Sequence, residues 1–198
     1  MVSEAKMSNI DFTLFIDAHS WWKCKGFNDK VVPSYVDDDA MDHTCPEDVT
    51  DLRIVQNGKY AVASAEQSFL QLDKEGKLED GSWMAVTPCF RDEMVLDDIH
   101  FNIFLKMELF RSATSKKNAE KISHEIAKDA ISMFTLLGIP RNVLFLVKTP
   151  IGYDVYCDDM EIGSYGARKT LTGKWYAYGT GLAEPRTSIA IQKYRGNE

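Results

Sequence analysis

Two stretches of the chain carry apolar residues at three- and four-residue spacing, the period of a helix with one buried face. In the first, Asp11 to Lys25, the recurring positions are Phe12, Phe15, Ile16, His19 and Trp22, and Gly26 follows as a stop signal. In the second, Asn118 to Leu137, they are Ile122, Ile126, Met133 and Leu137, with Gly138 and Pro140 behind them. Elsewhere the pattern is that of strands. Lys59–Ala63, Trp83–Val86 and Ile103–Phe110 read as extended, and the polar stretch Met94 to Asn102 predicts a hairpin loop between the last two. Val143–Val147 reads as a buried strand, Gly152–Cys157 as another, and residues 171–178 as a third. Gly179-Thr180-Gly181 then predicts a turn, and Ala183–Tyr194 a closing helix. Lys30-Val31-Val32 begins an extended stretch that Pro33 interrupts, which suits an edge, because proline cannot donate to a central ladder. Strands in hairpin-like succession with few helices predict an α+β domain, an antiparallel β-sheet flanked by helices.

Length and composition narrow this. The chain has 198 residues, 44% of them hydrophobic and 27% charged, which fits one globular domain over 1–198 rather than a disordered chain. No apolar run approaches the ~20 residues of a membrane helix, and the N-terminal stretch lacks a basic-then-apolar leader, so the expectation is a cytoplasmic protein with no membrane partner. Cys24, Cys45, Cys89 and Cys157 form no CxxC pair, and His19 and His43 do not complete a zinc set, so reduced structural thiols are expected. The Asp37-Asp38-Asp39 run reads as a solvated loop. The net charge is −7, whereas proteins that hold nucleic-acid phosphates usually present a basic surface.

Two clusters carry candidate chemistry. Phe90-Arg91-Asp92-Glu93 precedes the hairpin, and Phe104-Leu105-Lys106-Met107-Glu108 follows it. A guanidinium fork suits a phosphate or carboxylate, a carboxylate suits an amino group, and an aromatic ring suits a purine. By themselves these residues also describe a surface ion pair beside a core phenylalanine. The second cluster is Gly179-Thr180-Gly181-Leu182-Ala183-Glu184-Pro185-Arg186, which sets Arg186 in the first turn of a helix. A cation there opposes the helix dipole, a local conflict that an anionic ligand would resolve.

Taken in order, these segments resemble the three signature motifs of class II aminoacyl-tRNA synthetases. The first helix with Gly26-Phe27, Val31 and Pro33 resembles motif 1, the segment from Phe90 to Glu93 with Phe104 and Glu108 resembles motif 2, and Gly179 to Arg186 resembles motif 3. Ser64-Ala65-Glu66 looks like the loop that reads the amino group of the amino acid, and Met160 to Ser164 like the strand that supplies a metal-binding Glu. The stretch Gly181-Leu182-Ala183 with Arg186-Thr187 and Ile189-Ala190-Ile191 is similar to the seryl branch, as are Leu137 to Pro140 and Tyr153 to Val155. The resemblance runs from about residue 12 to residue 195.

It implies an enzyme that binds ATP with Mg²⁺ and activates an amino acid as its adenylate. Arg91 would bridge the α-phosphate and the substrate carboxylate, and Glu93 would accept from the adenine amino group. Phe104 would stack on the adenine, and Arg186 would hold the γ-phosphate. Glu161 would bind the metal, and Glu66, Glu108 and Ser164 the amino acid. The resemblance also implies a homodimer through motif 1. Departures from it concern the metal and the acceptor. Tyr156 stands where a second carboxylate is often found, leaving Asp154 and Asp159 as substitutes. The tRNA-gripping coiled coil of the seryl enzymes has no counterpart here, and Met94 to Asn102 holds no Lys or Arg. With the acidic total charge, this favours a protein or small-molecule acceptor over tRNA. The basic clusters Lys116-Lys117 with Arg111 and Arg168-Lys169 with Lys174 read either as solvated faces or as a local basic patch for tRNA despite the acidic total. The alternative is a non-catalytic nucleotide- or amino-acid-binding regulatory paralogue.

Overall fold

A computed structural model describes residues 9–44, 55–91 and 97–195. Its elements in chain order are α1 (Phe12–Cys24), β1 (Asn28–Asp29), β2 (Tyr35–Val36), α2 (Asp38–Asp42), β3 (Val55–Gln56), β4 (Lys59–Ala61) and α3 (Ala65–Lys74). They continue with β5 (Ser82–Phe90), β6 (Ile103–Ala113), α4 (Lys116–Leu136), β7 (Leu144–Lys148), β8 (Gly152–Cys157), β9 (Met160–Lys169), β10 (Trp175–Glu184) and α5 (Arg186–Arg195). Seven strands form one sheet in the order β1-β5-β6-β10-β9-β8-β7, antiparallel throughout except for the short β1, which runs parallel to β5 at the edge. The three small strands β2, β4 and β3 form a second sheet. This is the expected antiparallel sheet flanked by helices. No helix among the described residues is long and apolar enough to cross a membrane.

Both long helices have the caps their sequences call for. The Asp11 carboxylate accepts from Thr13 N at 2.9 Å, and the Ser115 hydroxyl accepts from Asn118 N at 3.2 Å. Gly26 (φ +83°) and Gly138 (φ +106°) end the two helices in the left-handed region that favours glycine. The buried face of α1 is Leu14, Phe15, Ala18 and Trp22, however, while Phe12 and Ile16 are each 64% exposed. Of the expected stripe, only Phe15 and Trp22 face the core. Trp22 anchors the helix by donating its indole N–H to the Gly181 carbonyl at 3.0 Å.

The sheet separates two cores. Alternation along β6 sends Met107 and Leu109 to one face, under α1 and α4, with Ile126, Phe134, Tyr165 and Leu182. Phe110 goes to the opposite face with Ala85, Tyr176 and Tyr178, under α3 and α2. Phe110 stacks on Tyr176 at 4.7 Å and meets Phe69 of α3 at 5.3 Å. Helix α3 is buried nearly all round, and full burial of Phe69 and Leu70 contributes about 1.5–3 kcal/mol each.

Four expectations are corrected. Residues 65–74 are a helix, with Ser64 as its cap rather than part of a loop. The Asp37-Asp38-Asp39 run opens α2, and Asp37 pairs with Lys59 (3.2 Å) and Lys74 (3.1 Å). The strand expected over 143–147 is an edge strand with only Leu144 buried. Gly179-Thr180-Gly181 is not a turn, because β10 runs through it to Glu184 and the last helix begins at Arg186. Neither glycine has a left-handed φ. A Cβ on Gly179 would lie 2.5 Å from Tyr165 Cδ1, and one on Gly181 2.8 Å from Met107 Cγ. The glycines admit close packing against the sheet and allow a bulge between Thr180 and Leu182. Among the cysteines, Cys24 is exposed while Cys89 and Cys157 are buried free thiols, and burial pushes Cys89 up to about 11. Cys45 lies outside the described residues.

Candidate active site

One cleft gathers the far ends of β5, β6, β9 and β10 with the start of α5. Arg91, Phe104, Lys106, Glu161, Ser164, Thr180 and Arg186 all line it. Register explains the convergence. Phe90 pairs with Ile103 across the hairpin, so Arg91 leaves β5 beside the start of β6. Period-2 alternation then places Phe104, Lys106 and Glu108 on one face. On β10, Thr180 lies opposite Glu108, and its hydroxyl accepts from Ser164 N at 3.2 Å, joining β9 to the same wall.

The Arg91 guanidinium lies 5.0 Å from the centre of the Phe104 ring, a cation–π contact. Arg186 donates Nε to the Ile99 carbonyl and Nη1 to the Glu161 carbonyl, both at 3.2 Å. Among the described residues neither guanidinium has a carboxylate within ion-pair distance. Two positive charges therefore face one cleft, satisfied only by an aromatic ring and neutral carbonyls. The Glu184 carboxylate at the same end is engaged, accepting from Ser188 N (2.9 Å), Ser188 Oγ (2.5 Å) and Asp11 N (3.4 Å). Burial raises its pKa against those hydrogen bonds.

Two expected site residues sit one layer away from the cleft. Glu108 is 1% exposed and lies behind Lys106, whose ammonium is 2.7 Å from its carboxylate, while Ser64 Oγ donates to it at 2.5 Å. Burial raises the Glu108 pKa, which Lys106 opposes and Glu66 reinforces. Glu66 is held elsewhere. Arg168 Nη1 donates to both of its oxygens and Tyr176 OH to one of them, at 2.7 Å. Glu66 thus closes a pair beneath the sheet face rather than opening onto the cleft. Glu93 lies outside the described residues. Lys106 was not singled out from the sequence, although its place between Phe104 and Glu108 at strand period puts it on their face. Ser64 was quoted only as part of a loop; the signal for its cap was the Ser64-x-x-Gln67 spacing of a capping box.

The metal expectation meets a sparse donor set. No group of three or more His, Cys, Asp or Glu residues suited to an ion occurs among the described residues, so neither Asp154 nor Asp159 completes a set with Glu161. Mg²⁺ commonly binds through one or two carboxylates plus substrate phosphates, and a lone Glu161 fits that mode but not a resident ion.

This sheet, flanked by its helices, has the fold of class II aminoacyl-tRNA synthetase catalytic domains. The seryl-tRNA synthetase from Pyrococcus horikoshii, complexed with ATP, superposes with a TM-score of 0.77 at 17% identity, over 93% of this chain and 50% of that one. A pyrrolysyl-tRNA synthetase from Desulfitobacterium hafniense gives 0.69 at 16% identity, over 93% of this chain and 70% of that one. The cytoplasmic serine-tRNA ligase from Naegleria fowleri, in complex with AMP, gives 0.72 at 16% identity, over 94% and 48%. The chain thus spans about half the length of the two seryl proteins. The sequence matches no family model and no curated protein. At these identities the likeness concerns the fold.

Proposed function

We propose that the cleft binds ATP and that the protein activates an amino acid as its aminoacyl-adenylate. The observation that carries this is the pair of guanidinium groups, Arg91 and Arg186, that line one cleft with Phe104 and have no carboxylate partner among the described residues. In the reaction a carboxylate oxygen attacks the α-phosphorus, the bond to the bridging oxygen breaks, and pyrophosphate leaves. Positioning and charge neutralisation supply most of the rate in such an in-line displacement. Arg91 would leave the Phe104 ring to bridge the substrate carboxylate and the α-phosphate, and the purine would take its place on the ring. Arg186 would exchange its two carbonyl partners for the γ-phosphate. Glu161 would ligate an Mg²⁺ ion arriving with the nucleotide, which would supply charge neutralisation between phosphates. Glu93 would accept from the adenine amino group.

For the amino acid, Ser164 and Thr180 supply polar atoms on the cleft wall. Glu108 would receive the ammonium that Lys106 now supplies. Glu66, held by Arg168, would contribute negative charge beneath that site rather than a direct contact. The acceptor would be a protein or small molecule in preference to tRNA, given the net charge of −7 and a hairpin loop without Lys or Arg. We further propose a homodimer through α1 and the edge strand β1, where Phe12, Ile16 and the 94%-exposed Val31 are left uncovered. A second reading, a nucleotide- or amino-acid-binding regulatory module without chemistry, is favoured by the neutralisation of Glu66 and Glu108 by the protein's own cations.

Calorimetric titration with ATP tests the cleft. The protein binds, and Arg186→Ala weakens binding about tenfold or more, as expected for loss of a charge-assisted contact. Binding unaffected by Arg186→Ala would remove this arginine from the site.

A further inference from the structure

A second cleft opens at the opposite end of the central strands. Ser164 of β9 lines the first cleft and Lys169 the second, five residues or roughly 17 Å further along the strand. Among the described residues four cations line it, Lys116, Lys148, Arg168 and Lys169, against one carboxylate, Glu120. Arg168 is neutralised by Glu66, and Lys116 reaches Glu120 only at 3.8 Å. Lys148 is exposed at the end of β7 and has no acidic partner among the described residues. Surface lysines are common, but this group comes with aromatic rings. Trp175 stands in the cleft wall with the Lys169 ammonium 5.3 Å from its ring centre, and Tyr153, stacked on His124 at 4.6 Å, also lines the cleft. The start of the 21-residue α4 adds a further anomaly. Its first turn carries no acid and places Lys116 at the positive end of the helix dipole, an unfavourable arrangement that a bound anion would relieve. In a chain of net charge −7, positive charge, an aromatic face and a helix start have converged on one concave surface.

We propose that this cleft is a second nucleotide-binding site, separate from the ATP cleft, that takes a phosphate on Lys148 and Lys116 and a base against Trp175. Cations track phosphates while any base can stack on an aromatic face, so the same chemistry serves a free nucleotide or a nucleotide within a single strand. The site stands whether or not the first cleft activates amino acids.

The test uses the full chain carrying Arg186→Ala, which weakens the first cleft without abolishing it, so retained binding is assigned to the second cleft only by its response to Lys148→Gln and Trp175→Ala. AMP is titrated by calorimetry, and a labelled six-nucleotide oligo-adenylate by fluorescence anisotropy, each with and without Lys148→Gln or Trp175→Ala added. The Arg186→Ala protein is expected to keep binding at least one probe at low salt. Trp175→Ala weakens binding about tenfold. Lys148→Gln lowers the dependence of log affinity on log salt by about one for the oligonucleotide, and it remains decisive should Trp175→Ala disturb the fold. Binding of AMP with no gain for the oligonucleotide identifies a free nucleotide as the ligand, and a strong gain identifies a strand. Loss of both probes from the Arg186→Ala protein, or binding indifferent to Lys148→Gln, overturns the proposal.

Discussion

Arg168 Nη1 donates to both oxygens of Glu66, at 3.0 and 2.9 Å, and so joins the end of β9 to the first turn of α3. The guanidinium also lies 4.6 Å from the centre of the Tyr178 ring. Burial opposes the Arg168 charge, and the neighbouring Glu66 carboxylate more than restores it, so the Arg168 pKa is raised.

Breaking this pair is costly. Glu66→Gln leaves a largely buried guanidinium without its counter-charge, and the expected loss is about 2–3 kcal/mol. That is below the roughly 3–5 kcal/mol of a fully buried pair, because the Arg168 side chain remains 27% exposed. Glu66→Gln with Arg168→Met recovers a large part of the loss. Urea unfolding of the single and double variants measures the coupling; additive losses would show that the pair is not a unit.

Gly179 tests the close-packing account of the glycine segment. An added Cβ meets Tyr165 Cδ1 at 2.5 Å and Ile126 Cγ2 at 3.2 Å, and Tyr165 is 1% exposed with its hydroxyl bonded to the Thr180 carbonyl. Gly179→Ala is expected to destabilise by about 1–3 kcal/mol through overpacking. An unchanged urea midpoint would contradict it.

This segment also shows where the sequence was ambiguous. Glycines before a helix suggest a turn, yet glycine equally marks close backbone approach inside a strand, and only the facing Tyr165 and Met107 decide between the two. Helix α3 was illegible for a related reason. It is buried on nearly every side, and its polar residues Glu66, Gln67, Ser68, Gln71 and Asp73 are buried with its apolar ones, so polarity along the segment does not mark a solvent face. In α1 the period was visible but its phase was not, and Phe12 and Ile16 face outward. Local patterns did suffice for the β5–β6 hairpin and for α4, which depend on register over short stretches, whereas the meeting of Arg91, Phe104, Glu161 and Arg186 in one cleft was implied only by the ordered resemblance to the synthetase motifs. The Glu66–Arg168 pair spans 102 residues, and no local pattern could reveal it.

Asp37 gives a pH-dependent signature. Its carboxylate is held down to about 2 by hydrogen bonds from Gln71, Lys74 and Lys59. A carboxylate whose folded pKa lies below its ordinary value of 3.8 stabilises the protein above that value, and the contribution is lost as the pH falls from about 4 to about 2. Asp37→Asn should therefore melt lower than wild type at neutral pH, with the gap closing as the solution is acidified through that window. A gap that stays constant would show that Asp37 acts through packing rather than charge.

The exposed α1 face predicts assembly. The protein is expected to sediment as a dimer at micromolar concentration, and Ile16→Glu as a monomer, since a charge on an apolar two-fold contact is placed against its own copy. A monomeric wild type would leave Phe12 and Ile16 without the proposed role.

The central claim is amino-acid activation, and its most direct measurement is exchange of labelled pyrophosphate into ATP, run with each standard amino acid. Exchange is expected with one amino acid or a small set. Arg91→Ala should reduce it about a hundredfold, the effect of removing ~3 kcal/mol of transition-state stabilisation. The fold should survive this change, because Arg91 is exposed and makes no ion pair among the described residues. Exchange with no amino acid by a protein that binds ATP, or full exchange by Arg91→Ala, would contradict the account.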